Sequence, residues 1–238
     1  MNTSPIAIRV GIVDDQALVR IGFRMLLEAE PGIEVVGEAA DGRGAIELAR
    51  THELDVLLMD VRMPGIDGIA ATETIVSTVS NGGGAAPPRI IVLTTFDHDE
   101  YAFAALRAGA SGFLLKDARP QELITAIRTV HAGDASLAPR VTRRMIELFA
   151  AQLPTPTAQS DQGAMVLATL TPREREILVA VAQGQSNGEI ASAFHLSEST
   201  VKTHVGRVLQ KLDARDRVQL VIFAYENGVL PAPGAAAS

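Results

Sequence analysis

The stretch IRVGIVDD, Ile8 to Asp15, is a short apolar run that stops at two adjacent aspartates. Isoleucine and valine at this density predict a β-strand over Ile8 to Val13. Four more such runs follow: Ile33 to Val36, Asp55 to Met59, Arg89 to Leu93 and Gly112 to Leu115. Strands this apolar suit a sheet covered on both faces. Amphipathic stretches, such as Leu18 to Ala29 and Glu122 to His131, lie between them. Strands alternating with helices predict an α/β domain with a five-stranded, parallel, doubly wound sheet, here expected over residues 6–133.

Four of the five runs hand over to a polar residue. Strand one ends in Asp14 and Asp15, strand three in Asp60, strand four in Thr94 and strand five in Lys116. Open parallel sheets gather ligands at the carboxyl ends of their strands, so these groups are expected in one shallow pocket. Three carboxylates held together repel one another and either share protons or bind a cation. Hard oxygen donors with open positions favour Mg²⁺. Such a metal and Lys116 would offset the charge of a phosphoryl group in flight. Asp60, alone at the end of the central strand, is the candidate nucleophile and would form an acyl phosphate. The adjacent Asp14 and Asp15 suit the metal, with the backbone carbonyl of Arg62 to complete its shell. Thr94 can donate its hydroxyl to a phosphoryl oxygen. Taken singly, each residue has a plainer role as a turn former, cap or solvated lysine. Their joint order along the chain favours the chemical reading.

Outward from this domain the pattern changes. The loop NGGGAAPP, Asn81 to Pro88, is a helix terminator and surface connection. Residues 134–168 are expected to form a helical extension near Val141 to Ala151 and then a flexible linker, Leu153 to Met165, rich in Pro, Ser, Thr and Gln. Residues 169–231 read as an all-α bundle of four helices. Thr171-Pro172-Arg173-Glu174 and Ser186-Asn187-Gly188-Glu189 are capping boxes, Ser197 and Asp216 are further caps, and Gly228 is a left-handed stop. The low-complexity tail, residues 232–238, is expected to be disordered.

Within the bundle, Val201, Val205, Val208 and Leu212 recur at helical spacing and predict a buried stripe. The opposite stripe carries Lys202, Thr203, Gly206, Arg207 and Gln210. Lys202, Arg207, Lys211, Arg215 and Arg217 crowd this region, opposed by Asp213 and Asp216. Ser197, Ser199 and Thr200, at the helix start, can donate to a phosphate. Charge alone leaves this face either DNA-binding or merely solvated. The last helix, Arg217 to Asn227, is apolar on more than one side. One face is expected in its own bundle, and Val218, Val221 and Ile222 against a second copy.

Composition sets the frame. The 238 residues suit two domains of ordinary size, and 47% hydrophobic with 21% charged residues is a globular balance. The net charge of −7 sits in the first half: residues 1–133 hold 11 Lys/Arg against 18 Asp/Glu, whereas residues 169–238 hold 7 of each. Without cysteine there are no disulfides or thiolate metal sites. No apolar stretch is long enough to span a bilayer and no leader pattern opens the chain, so a cytoplasmic protein without membrane contact is expected.

Two resemblances follow from the motifs. Val13-Asp14-Asp15, LMDVRMPGIDG (Leu58 to Gly68), Leu93-Thr94-Thr95 and GASGFLLKD (Gly109 to Asp117) resemble a two-component response-regulator receiver over roughly Ile8 to Gly133. The resemblance implies a flavodoxin-like fold and phosphorylation of Asp60 by a histidine kinase, with Mg²⁺ held by Asp14, Asp15 and Asp60. It also implies a switch through Thr94 and Phe113. By itself an aromatic in a strand is more often core, and Tyr101 reads as helix packing. LTPREREILVAVAQG (Leu170 to Gly184), NGEIA (Asn187 to Ala191) and LSESTVKTHVG (Leu196 to Gly206) resemble a LuxR-type helix-turn-helix. Receiver followed by this module is the NarL/FixJ pattern. It implies base contacts from Lys202 and Thr203 and phosphate contacts around Ser197, Thr200, Arg207 and Lys211. The expected whole is a DNA-binding transcriptional regulator rather than an enzyme. Its expected partners are a histidine kinase, double-stranded operator DNA and, once phosphorylated, a second copy of itself, with RNA polymerase a further candidate. Two rivals are weaker. A haloacid-dehalogenase-like phosphatase would want a second acid two residues after the nucleophile, where Arg62 stands. A receiver with a protein-binding output would not need the basic helix face.

Overall fold

The structure, a computed structural model, describes residues 7–80, 86–94, 104–132 and 161–230. It divides into two compact units, Met1–Asp134 and Ala135–Ser238. In the first unit the elements run β1 (Ile8–Val13), α1 (Ala17–Glu28), β2 (Ile33–Ala39), α2 (Gly42–Thr51), β3 (Val56–Asp60), α3 (Gly68–Ser80), β4 (Arg89–Thr94), β5 (Gly112–Leu115) and α4 (Pro120–His131). The strands form one sheet in the order β2-β1-β3-β4-β5, every pairing parallel.

Register explains the two-sided core. Ile8, Val10 and Ile12 of β1 share one face with Val56 and Leu58 of β3 and Ile91 and Leu93 of β4, and there they pack on Leu27 of α1 and Leu123, Ile124 and Ile127 of α4. On the other face, Gly11 lies under Leu48, Leu54 and Leu57, so that a Cβ at position 11 would come within 2.7 Å of Leu57. Helices cover both sides, which is why the strands read as nearly unbroken apolar runs.

In the second unit, α5 (Asp161–Leu167), α6 (Pro172–Ala182), α7 (Asn187–Phe194), α8 (Glu198–Lys211) and α9 (Arg217–Glu226) enclose a core that includes Ile177, Leu178, Val181, Ile190, Val201, Val205, Val208, Leu220 and Val221. The expected caps are in place. Thr171 and Glu174 bond reciprocally, as do Ser186 and Glu189. Ser197 accepts from the Thr200 amide, and Asp216 from the amides of Val218 and Gln219. Gly228 has φ +63° and ends the last helix.

Two expectations are corrected. The linker expected over Leu153 to Met165 overlaps α5, and the core of the second unit begins before residue 169: Leu167 and Leu170 belong to it. Leu167, with Val166 packed beside it, anchors a short helix despite the polar residues before it, while Met165 stays exposed. Val218, Val221 and Ile222, expected to meet a second copy, are at most 4% exposed within the single chain. A helix apolar on several sides has here found its cover without a partner. The stretch 141–151, most of the expected linker, Thr95, Tyr101 and the tail lie outside the described residues.

Candidate functional site

The carboxyl ends of β1, β3, β4 and β5 bring the predicted polar residues together. Asp14 and Asp60 are buried, Asp15 is exposed, and one carboxylate oxygen from each lies within 4.8 Å of the others. Lys116 reaches in from the end of β5. Its Nζ stands 2.7 Å from Asp14 Oδ2 and 2.8 Å from Asp60 Oδ2. The Lys116 amide donates to the Thr94 carbonyl at 2.7 Å, which ties the lysine to the end of β4. Thr94 itself is buried at the strand end. Beside the buried Asp14 opens a cleft of about 510 Å³, lined by residues that include Asp15, Asp60, Arg62, Asp67, Thr94 and Lys116. The Arg62 amide points toward Asp60 Oδ1 at 3.4 Å.

Local sequence builds the approach to Asp60. Beyond Met63-Pro64, Gly65 turns the chain with φ +79°, and Asp67 caps α3 by accepting from the Ala70 amide. Gly68 then passes so close that a Cβ there would lie 1.9 Å from the Asp60 carbonyl oxygen. No other residue fits that crossing without moving the strand end that carries Asp60.

The electrostatics are those of a crowded acidic site. Burial raises the Asp60 carboxyl above its ordinary value and the neighbouring Asp14 charge adds to this, while Lys116 pulls the other way. Burial alone would lower the Lys116 ammonium, but its hydrogen bonds to Asp14 and Asp60 outweigh it and raise the net value. With all three ionised, three carboxylates against one ammonium leave two negative charges on hard oxygen donors. That set fits a divalent cation such as Mg²⁺. Phe113 is half-buried on β5, paired in register with Val92.

In the second unit the structure sorts the expected DNA-facing residues. On α8, Lys202, Thr203, Gly206, Arg207 and Gln210 are exposed, opposite the buried Val201, Val205 and Val208. At the start of α8 the Ser197 hydroxyl lies 2.8 Å from those of both Ser199 and Thr200. Lys211 is placed differently. Its Nζ pairs with Glu174 Oε2 at 2.7 Å and donates to the Thr169 carbonyl at 3.0 Å, so it cross-links α8 to the start of α6. Arg217 also bonds within the unit, to Asn187 and to the Gln185 carbonyl. Sequence charge counts could not tell these two from Lys202 and Arg207. No local pattern marks them, since their partners Glu174 and Asn187 lie 37 and 30 positions away. Gln16 and Asp67, which also line the cleft, were missed, although Asp67 lies inside a quoted motif.

Comparison with known proteins yields two domain matches. Residues 10–128 match the response regulator receiver domain, and residues 168–224 the luxR family of bacterial regulatory proteins. The chain is 45% identical over 224 residues to the uncharacterized transcriptional regulatory protein YxjL of Bacillus subtilis strain 168, covering 94% of this chain and 97% of that one. It is 39% identical to the transcriptional regulatory protein LiaR of the same organism, covering 92% and 98%. A solved structure of two RcsB dimers bound to two parallel DNAs aligns with TM-score 0.53 at 26% identity, covering 92% of this chain and 98% of that one.

Proposed function

From the chain's membership of the two-component response regulators that join a receiver to a LuxR-type DNA-binding domain, we propose that phosphorylation of Asp60 by a histidine kinase controls its binding to operator DNA. The observation that carries this reading is Lys116 Nζ between Asp14 and Asp60, at the mouth of a cleft where three carboxylates meet. An Asp60 oxygen attacks the phosphorus of the donor phosphohistidine, the phosphorus–nitrogen bond breaks, and the phosphoryl group becomes an acyl phosphate on Asp60. Asp14, Asp15 and Asp60, with the Arg62 carbonyl, are the residues that hold Mg²⁺. When bound, the ion would supply positive charge to offset that of the phosphoryl group. Lys116 is already fixed beside Asp60 and transfers its ion pair to the incoming group. The Thr94 hydroxyl donates to a phosphoryl oxygen, and its movement, with that of Phe113 on the neighbouring strand, carries the switch.

In the DNA-binding domain, Lys202 and Thr203 face base edges, while Ser197, Ser199, Thr200 and Arg207 hold phosphates. Lys211, paired with Glu174 and the Thr169 carbonyl, is assigned to the domain's own packing in this reading. The RcsB structure contains dimers on DNA. A dimer on a two-fold operator is proposed here as well, formed on phosphorylation and through a surface other than Val218, Val221 and Ile222. The domain limits proposed are 6–133 for the receiver and, because Leu167 belongs to the core of the second unit, about 161–231 for the DNA-binding domain.

The test is incubation of the full chain with an acyl-phosphate donor and Mg²⁺, peptide mapping by mass spectrometry, and operator titration with and without donor. The expected results are one phosphoryl group on Asp60 and tighter operator binding. Label on another residue, or an operator affinity and oligomeric state indifferent to the donor, defeats the reading.

A further inference from the structure

Behind the acidic cleft, on the side facing α1, runs a chain of ion pairs. Arg20 Nη1 donates to the main-chain carbonyl of Asp14 at 2.7 Å, and its Nε lies 3.2 Å from Glu38 Oε2 on β2. The second oxygen of Glu38 accepts from Arg24 Nε, and Arg24 in turn reaches Glu28 at 2.9 Å. We propose that Arg20, clamped by Glu38, is a positioning residue that sets the Asp14–Asp15 peptide, and through it the Asp15 carboxylate, for the divalent cation. The proposal rests on the pocket reading above.

The geometry carries it as follows. Asp15 is exposed, so its carboxylate depends on the backbone for its place beside Asp14 and Asp60. The Asp14 carbonyl and the Asp15 amide share one rigid plane. Asp14 is fixed on the amino side by its N–H bond to the Ala39 carbonyl at 3.2 Å, and its side chain is held by the Gln16 amide, which donates to Asp14 Oδ1 at 2.9 Å. Arg20 fixes the carbonyl side. With both held, the plane cannot rotate, and the direction in which the chain enters Asp15 is set. Without Arg20 the carbonyl can turn to water, and Asp15 can swing away from two like charges that repel it.

The fold places Glu38 for this purpose. β1 pairs Ile8 with Ile33 and Val10 with Val35, and then the register shifts, so that Gly11 pairs with Gly37 and Ile12 with Glu38. Partners across parallel strands face the same side. The shift therefore turns Glu38 toward α1, beside Ile12, and puts Gly37 on the opposite face under Leu48, where a Cβ would meet Leu48 Cδ1 at 2.4 Å. Without the bulge, position 37 would face α1 and the glutamate would be lost to the other side. Arg24 first, and then Arg20, hold the Glu38 carboxyl below its ordinary range, so the clamp stays charged.

Outer residues of this kind typically tune metal affinity by about 10- to 100-fold. The test is Mg²⁺ titration of the unphosphorylated full chain by calorimetry, paired with the Mg²⁺ dependence of Asp60 labelling. Arg20→Ala is expected to raise the half-saturating Mg²⁺ concentration by roughly 10-fold, while the labelling rate at saturating Mg²⁺ changes by less than about 2-fold. Arg20→Lys should recover part of the affinity, and Glu38→Gln should lose less than Arg20→Ala. Met25→Ala, on the exposed side of the same helix, should match wild type. An Arg20→Ala or Glu38→Gln chain that is folded by circular dichroism and binds Mg²⁺ as wild type does overturns the proposal alone. Wild-type protein that takes up neither Mg²⁺ nor label overturns the pocket reading together with it.

Discussion

Asp60 with Lys116 in the first unit and Glu174 with Lys211 in the second are made of the same parts. Each is a buried carboxylate with a lysine Nζ at 2.7 to 2.8 Å. Their proton affinities nevertheless move apart. Asp60 is raised. Glu174 is lowered from 4.5 to about 2, first by Lys211 and then by the Thr171 amide. Glu174 has an ammonium without a competing carboxylate, a backbone donor and the N-terminal end of α6, all of which favour its charge. Asp60 shares its lysine with Asp14, and its backbone donor lies at 3.4 Å. The same ion pair is thus a structural tie where its charges are satisfied and sits at the proposed reactive centre where negative charge is left over. Leftover charge costs stability and supplies affinity for a cation and reactivity toward phosphorus.

The largest expected effect tests that contrast directly. Asp60→Asn should abolish phosphoryl labelling and also raise the melting midpoint of the first unit at neutral pH. The sign follows from its raised value: such a carboxyl stabilises the fold at low pH, and that stability is lost as pH rises through the folded-state value. Removing the charge recovers it, and a lower midpoint in the variant would break the comparison.

The next effect is in acid. A carboxyl depressed from 4.5 to about 2 gives stability that is fully present above the first value and lost as pH falls toward the second. Protection of the α6 amides against hydrogen exchange, relative to their intrinsic rates, should therefore fall from about pH 4.5 down to about pH 2, and Glu174→Gln should flatten that dependence. An unchanged profile in the variant would mean that the Glu174–Lys211 tie does not hold the second unit.

A smaller effect separates two lysines of one helix. Lys202→Ala should weaken operator binding and, if the residue also neutralises a phosphate, reduce the salt slope by about 1. Lys211→Met should leave the slope unchanged and lower thermal stability. Equal slope changes would return Lys211 to the DNA face. The smallest effect is at Gly206, where nothing lies within 4 Å of an added Cβ. Gly206→Ala should stabilise the second unit by up to about 1 kcal/mol. If operator affinity falls as well, the glycine is kept for close approach to DNA.

Much was legible beforehand because it is local. β1 and β5 lie where the apolar runs predicted them, and the helix caps are the predicted ones. The strand-end residues met because a parallel sheet with helical crossovers puts all carboxyl ends on one edge. What failed was long-range. The apolar residues of α9 did not say whether their cover would be the same chain or a second one. Basic residues on α8 did not declare their partners, since Lys211 and Glu174 are 37 positions apart.

By itself, then, the sequence determined the strand and helix succession, the caps and the identity of the acidic site, because each is written in periodicity and in neighbours a few residues apart. Only the tertiary structure decided that Lys211 pairs with Glu174, that Val218 and Ile222 are covered, and that a register shift in β2 hands Glu38 to Arg20. Those outcomes depend on how distant segments pack. A side chain's partner there is fixed by the bundle or sheet that brings two backbones together, and no local pattern encodes that distance.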